Sequence, residues 1–215
     1  MSPAFEYERD PKRIYEMSFA AIDDELSEFD IQPELRPMAL RLIHACGMVE
    51  IAKDLRSSAG AVAAGIAALN RGAPILCDTE MVAQGIIRRG LPAGAKPIVT
   101  LNAPGVADRA REISTTRSAA AVEFWRPKLA GAIVAIGNAP TALFQLLENL
   151  DDGWPAPALI LGFPVGFVGA AESKECLAGF GRGIPFVTLL GRRGGSAMAA
   201  AAVNALSLGL AGDGT

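Results

Sequence analysis

The first forty-odd residues carry a helical rhythm. Ile14, Phe19 and Ile22 recur with Tyr15, Met17 and Leu26, while Asp23, Asp24, Glu25 and Glu28 mark a solvated side. A second helix carries Leu40, Leu42, Ile43 and Cys46. Pro33 and Pro37 stand near its start, where proline is tolerated, and His44 lies near its end, just before the stop signal Gly47. A third helix, from about Ser57 to Asn70, is nearly all Ala, Val, Ile and Gly, side chains small enough to let it approach a neighbour closely.

After Gly72 short apolar runs alternate with helical stretches. The runs are Pro74–Cys77, Pro97–Leu101, Ala132–Ile136, Ala158–Leu161 and Phe186–Leu190; helices begin near Asp78, Thr116, Pro140, Ala170 and Ser196. Continuous apolar runs, each followed by a helix, predict a parallel sheet covered on both faces. The expected fold is therefore α/β: a doubly wound parallel sheet of about five strands with helices on both faces and an N-terminal helical segment. With no internal repeat or linker in the pattern, residues 1–215 are expected to form a single domain. In such sheets ligands bind beyond the carboxyl ends of the strands, where strand order switches. That directs attention to the turns at Cys77–Met81, Gly137–Thr141, Gly162–Phe167 and Gly191–Ser196. Three of them are rich in glycine, whose backbone can approach a ligand closely.

Composition narrows the classes. The chain is 51% hydrophobic and 20% charged, too apolar and too weakly charged for disorder. A net charge of −3 argues against a broad basic surface for nucleic acid. The uncharged runs Gly153–Ala171 and Gly194–Gly212 reach membrane-span length. However, the first holds Pro155, Pro157 and Pro164 and the second is mostly alanine, so buried strands and helices fit better than a membrane span. Met1–Asp30 is polar and acidic, without the basic and apolar regions of a secretory leader, so a cytoplasmic location is expected. Cys46, Cys77 and Cys176 are scattered and odd in number, which suits buried free thiols rather than a disulfide or C-x-x-C site.

Much familiar chemistry is missing. There is no P-loop. Gly179-Phe180-Gly181-Arg182-Gly183 precedes a strand instead of following one, and Ile184 takes the place of a dinucleotide fingerprint's last glycine. The single histidine rules out zinc sites built on two or three imidazoles. The pairs Asp23/Asp24 and Asp151/Asp152 read as solvated surface. Two features remain. His44 is the one side chain whose ordinary pKa lies near neutrality, although a lone histidine in an apolar helix also suits a structural role. Arg117 and Lys174 sit in helices rich in small residues; each could grip a carboxylate or simply pair with a neighbouring glutamate, Glu123 or Glu112 for Arg117.

Taken in order, the motifs Arg41–Gly47, Gly72–Val82, Thr116–Ala121, Ala135–Phe144, Gly162–Lys174 and Gly194–Met198 resemble the precorrin-8X methylmutases of cobalamin biosynthesis, over roughly residues 7 to 209. The wording around His44 and Cys77 is closer to the aerobic, metal-free branch than to the cobalt-precorrin branch. The resemblance implies a homodimeric isomerase with no bound cofactor and no metal. Its reaction moves a methyl group from C-11 to C-12 of the tetrapyrrole, giving hydrogenobyrinate. It also implies that His44, in an H-A-x-G motif, is the catalytic proton donor. For substrate binding it points to Asp78 and Met81, to Thr116 and Arg117, and to Asn138, Gly166 and Lys174. Gly194, Gly195 and Ser196 complete that set, with the cationic groups and glycine-turn N–H groups meeting the carboxylate arms of the substrate.

The residues are compatible with that chemistry. A methyl shift within one conjugated ring has no net redox change and no leaving group; it can use a shaped pocket and one positioned acid. Two other classes stay open from the residues alone. One is a flavodoxin-like binder of a flavin or small phosphorylated ligand, against which the scarcity of Trp and Tyr weighs. The other is a structural module whose small-residue helices dimerise.

Overall fold

The computed structural model describes residues 5–209. In chain order the elements are α1 (Pro11–Leu26), α2 (Arg36–Cys46), β1 (Leu55–Ser57), α3 (Ala61–Asn70), β2 (Ile75–Cys77), α4 (Glu80–Gly85), β3 (Pro97–Val99), α5 (Val106–Glu112), α6 (Arg117–Glu123), α7 (Arg126–Leu129), β4 (Ile133–Ile136), α8 (Pro140–Asp151), β5 (Leu159–Gly162), α9 (Ala170–Ala178), β6 (Phe186–Leu189) and α10 (Ser196–Leu208). The strands form one sheet in the order β1-β6-β5-β4-β2-β3. Strands β2 to β6 are parallel, as the apolar runs predict. The order reverses at β2, which has β3 on one side and β4 on the other, so the crevice between the β2 and β4 turns is the switch point.

Two expectations are corrected. A sixth strand, β1, pairs antiparallel with β6, Leu55 opposite Leu189. The third helix starts at Ala61 rather than near Ser57, because Ser57 is taken into that strand and the left-handed Gly60 (φ 71°) turns the chain into the helix. The last residues of the uncharged run Gly194–Gly212 lie outside the described residues. Among those described, no helix is long and apolar enough to cross a membrane.

The strands read as unbroken apolar runs because both faces are covered. Ile75, Cys77, Ile133, Ala135, Leu159 and Leu161 belong to one core, shared with helices α2, α3 and α10. The alternate residues Leu76, Val134, Ile136 and Ile160 belong to the other, around Trp125, Leu143 and Leu146 of the α7–α8 side. Small residues let the helices press close. A methyl added at Gly65 in α3 would lie 2.7 Å from Leu159 Cδ2, and one at Gly85 would lie 2.7 Å from the Ala200 Cβ of α10.

Candidate active site

His44 stands in the last turn of α2, which ends where the left-handed Gly47 (φ 69°) returns its N–H to the Ile43 carbonyl at 2.7 Å. That early stop leaves the imidazole exposed instead of burying it in the core beside Leu42 and Ile43. Helix α1 holds the ring in place. Tyr15, Ser18 and Phe19 are spaced i, i+3 and i+4, so they share one face. Ser18 Oγ lies 2.9 Å from His44 Nδ1. The Phe19 ring stacks on the imidazole at 5.1 Å and 29°, and Tyr15 lies tilted at 5.1 Å. Beside them Arg41 donates through Nε to the Gly209 carbonyl at 2.5 Å and reaches the Tyr15 hydroxyl at 3.3 Å. Ser18 thus engages Nδ1 and leaves Nε2 as the second ring nitrogen.

Two clefts meet at His44. One, of about 300 Å³, has a floor of Gly85, Ala197, Ala200 and Ala201, with Tyr15, Arg41 and Asn204 at its sides. The other, of about 380 Å³, runs past Ser18, Gly47, Val49 and Glu50. Two hollows of about 430 and 420 Å³ lie elsewhere on the surface and hold none of the candidate residues. The floor of the first cleft is flat because Ala197, Ala200 and Ala201 fall on one face of α10, and none carries a side chain beyond Cβ.

The switch point adjoins that floor through the start of α10. Asp78, only 3% exposed, accepts three backbone N–H groups: Gly137 on Oδ1 at 3.0 Å, and Asn138 and Ala139 on Oδ2 at 2.8 and 2.9 Å. Burial raises its pKa above the usual carboxylate range, and the three donors oppose that rise. Thr79 Oγ1, which caps α4, lies 3.4 Å from Ser196 Oγ at the head of α10. A methyl at Gly137 would come within 2.6 Å of Ser196 Cα, so only glycine lets the two turns meet. Asn138 is exposed above this junction, and Met81 is 73% exposed beside it.

The loops after β5 and β6 are sewn together. Gly195 N–H donates to the Phe163 carbonyl at 2.8 Å and Gly166 N–H to the Arg192 carbonyl at 3.2 Å. A side chain at Gly194 would collide with the Phe163 carbonyl oxygen. This corrects one expectation: the N–H groups of Gly137, Asn138, Gly166 and Gly195 are spent inside the protein. The first N–H groups of α10, from Ser196 onward, are among those that open a helix without an intrahelical partner.

The remaining candidates divide. Thr116 caps α6 and lies 2.8 Å from Thr141 Oγ1 in the first turn of α8, which ties it to the same rim. Arg117 is exposed and donates to Asn102 Oδ1. It does not pair with Glu123 or Glu112; Arg109 takes both. Lys174 is 0% exposed and pairs with no glutamate: its Nζ donates to the Arg193 carbonyl at 2.5 Å. Burial pushes its pKa down to about 8, against the opposing field of Asp54. Of the thiols, only Cys77 is buried, with a pKa pushed up to about 12; Cys176 is exposed, contrary to expectation. Asp23 and Asp151 are surface carboxylates as read, paired with Arg36 and Arg182. Sequence reasoning missed Ser18, Phe19 and Arg41 as neighbours of His44. Tyr15 and Phe19 stood in the helical pattern of the first segment, but nothing in it named Ser18 or the facing helix.

Comparison with known proteins follows the same lines. The family model of precorrin-8X methylmutase (CbiC) matches residues 13–208. A precorrin-8X methylmutase of Pseudomonas aeruginosa is 60% identical over 202 residues, 94% of this chain and 97% of that one. A cobalt-precorrin-8 methylmutase of Priestia megaterium is 37% identical over 199 residues, 92% of this chain and 88% of that one. The crystal structure of precorrin-8x methyl mutase from Thermus thermophilus superposes with a TM-score of 0.82 at 39% identity, covering 91% of this chain and 94% of the other. The chain therefore belongs to the precorrin-8X methylmutase family, whose members are isomerases of cobalamin biosynthesis.

Proposed function

We propose that this chain converts precorrin-8X into hydrogenobyrinate, with His44 as the proton donor to the macrocycle. The observation that carries the reading is the setting of His44. Its Nδ1 is engaged by Ser18, its ring is packed by Phe19 and Tyr15, and a cleft floored by alanine and glycine opens beside it. In the rearrangement the bond from the methyl carbon to C-11 breaks and its bond to C-12 forms, so atoms and oxidation level balance within one molecule. Nε2–H supplies the proton to a ring nitrogen as charge shifts and takes it back when the product forms. A positioned acid of this kind is worth ~10²–10⁴ in rate, roughly 3–5 kcal/mol of barrier. The alanine floor of α10 supplies orientation by holding the ring flat against the imidazole.

The carboxylate arms of the substrate would meet Arg117, Asn138 and Thr116 on the rim and the N–H groups at Ser196, with Gly194 and Gly195 allowing close approach. Met81 offers an apolar edge to the ring. Asp78 and Gly166 serve from beneath, by fixing the turns. The metal-free substrate is preferred to the cobalt form, in line with 60% identity to a precorrin-8X enzyme against 37% to a cobalt-precorrin-8 enzyme. A homodimer in the cytoplasm completes the reading. Exposed Ile14 and Met17 on α1, next to the His44 face, suit a subunit contact.

The test is spectroscopic and thermal. Mixed in turn with precorrin-8X, its cobalt form, FMN and ATP, the protein should convert the first and gain melting temperature with tetrapyrroles alone. A shift with FMN and none with a tetrapyrrole would return the flavodoxin-like alternative.

A further inference from the structure

Of the charged side chains described, Lys174 alone has no exposed surface; Arg41 and Asp78 keep 5% and 3%. An ammonium group carries three donors and no acceptor, and a buried one is costly unless it is held. It donates to a backbone oxygen, the carbonyl of Arg193 in the middle of the β6–α10 loop. From Arg193 two short paths lead to the His44 clefts. Its own guanidinium donates to Glu50 Oε1 at 3.0 Å, and Glu50 lines one cleft. Four residues along the chain, Ala197 lines the other. Between them, Gly194 packs too tightly on Phe163 to admit a side chain, and Gly195 N–H is bonded to the Phe163 carbonyl. Arg193 is thus joined through Glu50 to a wall of one cleft and through Gly194 and Gly195 to the Ala197 wall of the other.

We propose that Lys174 is a positioning residue that never touches substrate: through the Arg193 carbonyl it sets the β6–α10 loop, and with it Glu50 and the head of α10, against His44. Its consequence for catalysis rests on the His44 reading above; its consequence for the loop does not. The bond to the Arg193 carbonyl holds this cationic side chain inside the protein, away from the rim.

The experiment compares the full-length wild type with Lys174→Met and Lys174→Gln by amide hydrogen exchange at Gly195 and by steady-state turnover of precorrin-8X. Lys174→Met should speed Gly195 exchange on the order of tenfold and lower kcat by a similar factor, with KM changed less than about threefold, because a small misplacement of cleft walls reaches the transition state more than ground-state binding. Lys174→Gln keeps an N–H donor for the carbonyl and should recover most of both. If the Met variant loses protection in all the strands, the Gln variant carries the comparison. Unchanged exchange at Gly195 overturns the proposal. So does a rise in KM with kcat intact, the mark of a side chain that binds substrate directly. A wild-type chain that does not convert precorrin-8X overturns the His44 reading and leaves the exchange comparison to decide Lys174.

Discussion

Ser18 and His44 are 26 positions apart in the chain, and their side chains meet at 2.9 Å because α1 lies along α2. That contact engages Nδ1 and limits how far the ring can turn. Removing the hydroxyl while keeping the fold should leave the acid present but loosely aimed. Ser18→Ala is expected to cut kcat by about 10- to 100-fold with little change in substrate affinity, a range typical of misplaced catalytic groups. Steady-state kinetics checks it; an unchanged kcat would make Ser18 a bystander. At this scale the sequence was partly legible. His44 stood out as the single histidine, and the resemblance assigned it a role. Ser18 did not stand out, since a serine in an amphipathic helix has no signature of the residue it will face. Asp78 shows the opposite limit. It reads as a polar group in a strand-end turn, yet the fold spends both its oxygens on Gly137, Asn138 and Ala139.

Among the elements, α10 links core and site. Its alanines pack against α2 and α4 on one side and form the cleft floor on another. The high alanine and glycine content, which first raises the question of a membrane span, is explained by this close approach. Gly85 marks one close approach to α10, with an added methyl only 2.7 Å from Ala200 Cβ. Gly85→Val should force α4 and α10 apart, lowering stability by about 1–3 kcal/mol and narrowing the 300 Å³ cleft, an overpacking cost read by chemical denaturation. A variant of wild-type stability would show that the two helices can slide without cost. The five parallel strands were legible because both sheet faces are covered and the runs are continuous; of the helices that follow them, α5 (Val106–Glu112) and the short α7 (Arg126–Leu129) carried no such signal. Strand β1 was not, because three residues with one arginine among them carry no periodicity, and their antiparallel edge pairing with β6 is a tertiary choice.

For the molecule as a whole, strand order could be expected only as a class; the placing of β4 beside β2, which creates the switch-point crevice, appears with the fold. Lys174 gives the whole molecule a pH signature. Its pKa is about 8 when folded and 10.5 in the open chain, so between those values the unfolded chain binds the extra proton. The penalty is full below pH 8 and fades as pH rises toward 10.5. Relative to Lys174→Met, the wild type should therefore gain stability across that window, by on the order of 3 kcal/mol. Paired denaturation curves at pH 7.5 and pH 10 check the sign; a difference that is flat or falls with pH contradicts it.

The central claim is that one exposed imidazole, aimed by α1 at a cleft floored by α10, supplies the proton for a methyl shift. The most direct measurement is a single-turnover conversion of precorrin-8X, followed by visible absorbance, with the wild type and with His44→Asn at saturating enzyme. Asparagine keeps a hydrogen-bonding side chain of similar reach but donates no proton. Substrate binding close to that of the wild type, with conversion slowed by about 10²–10⁴, is the expected result. Conversion by His44→Asn at the wild-type rate would contradict the account.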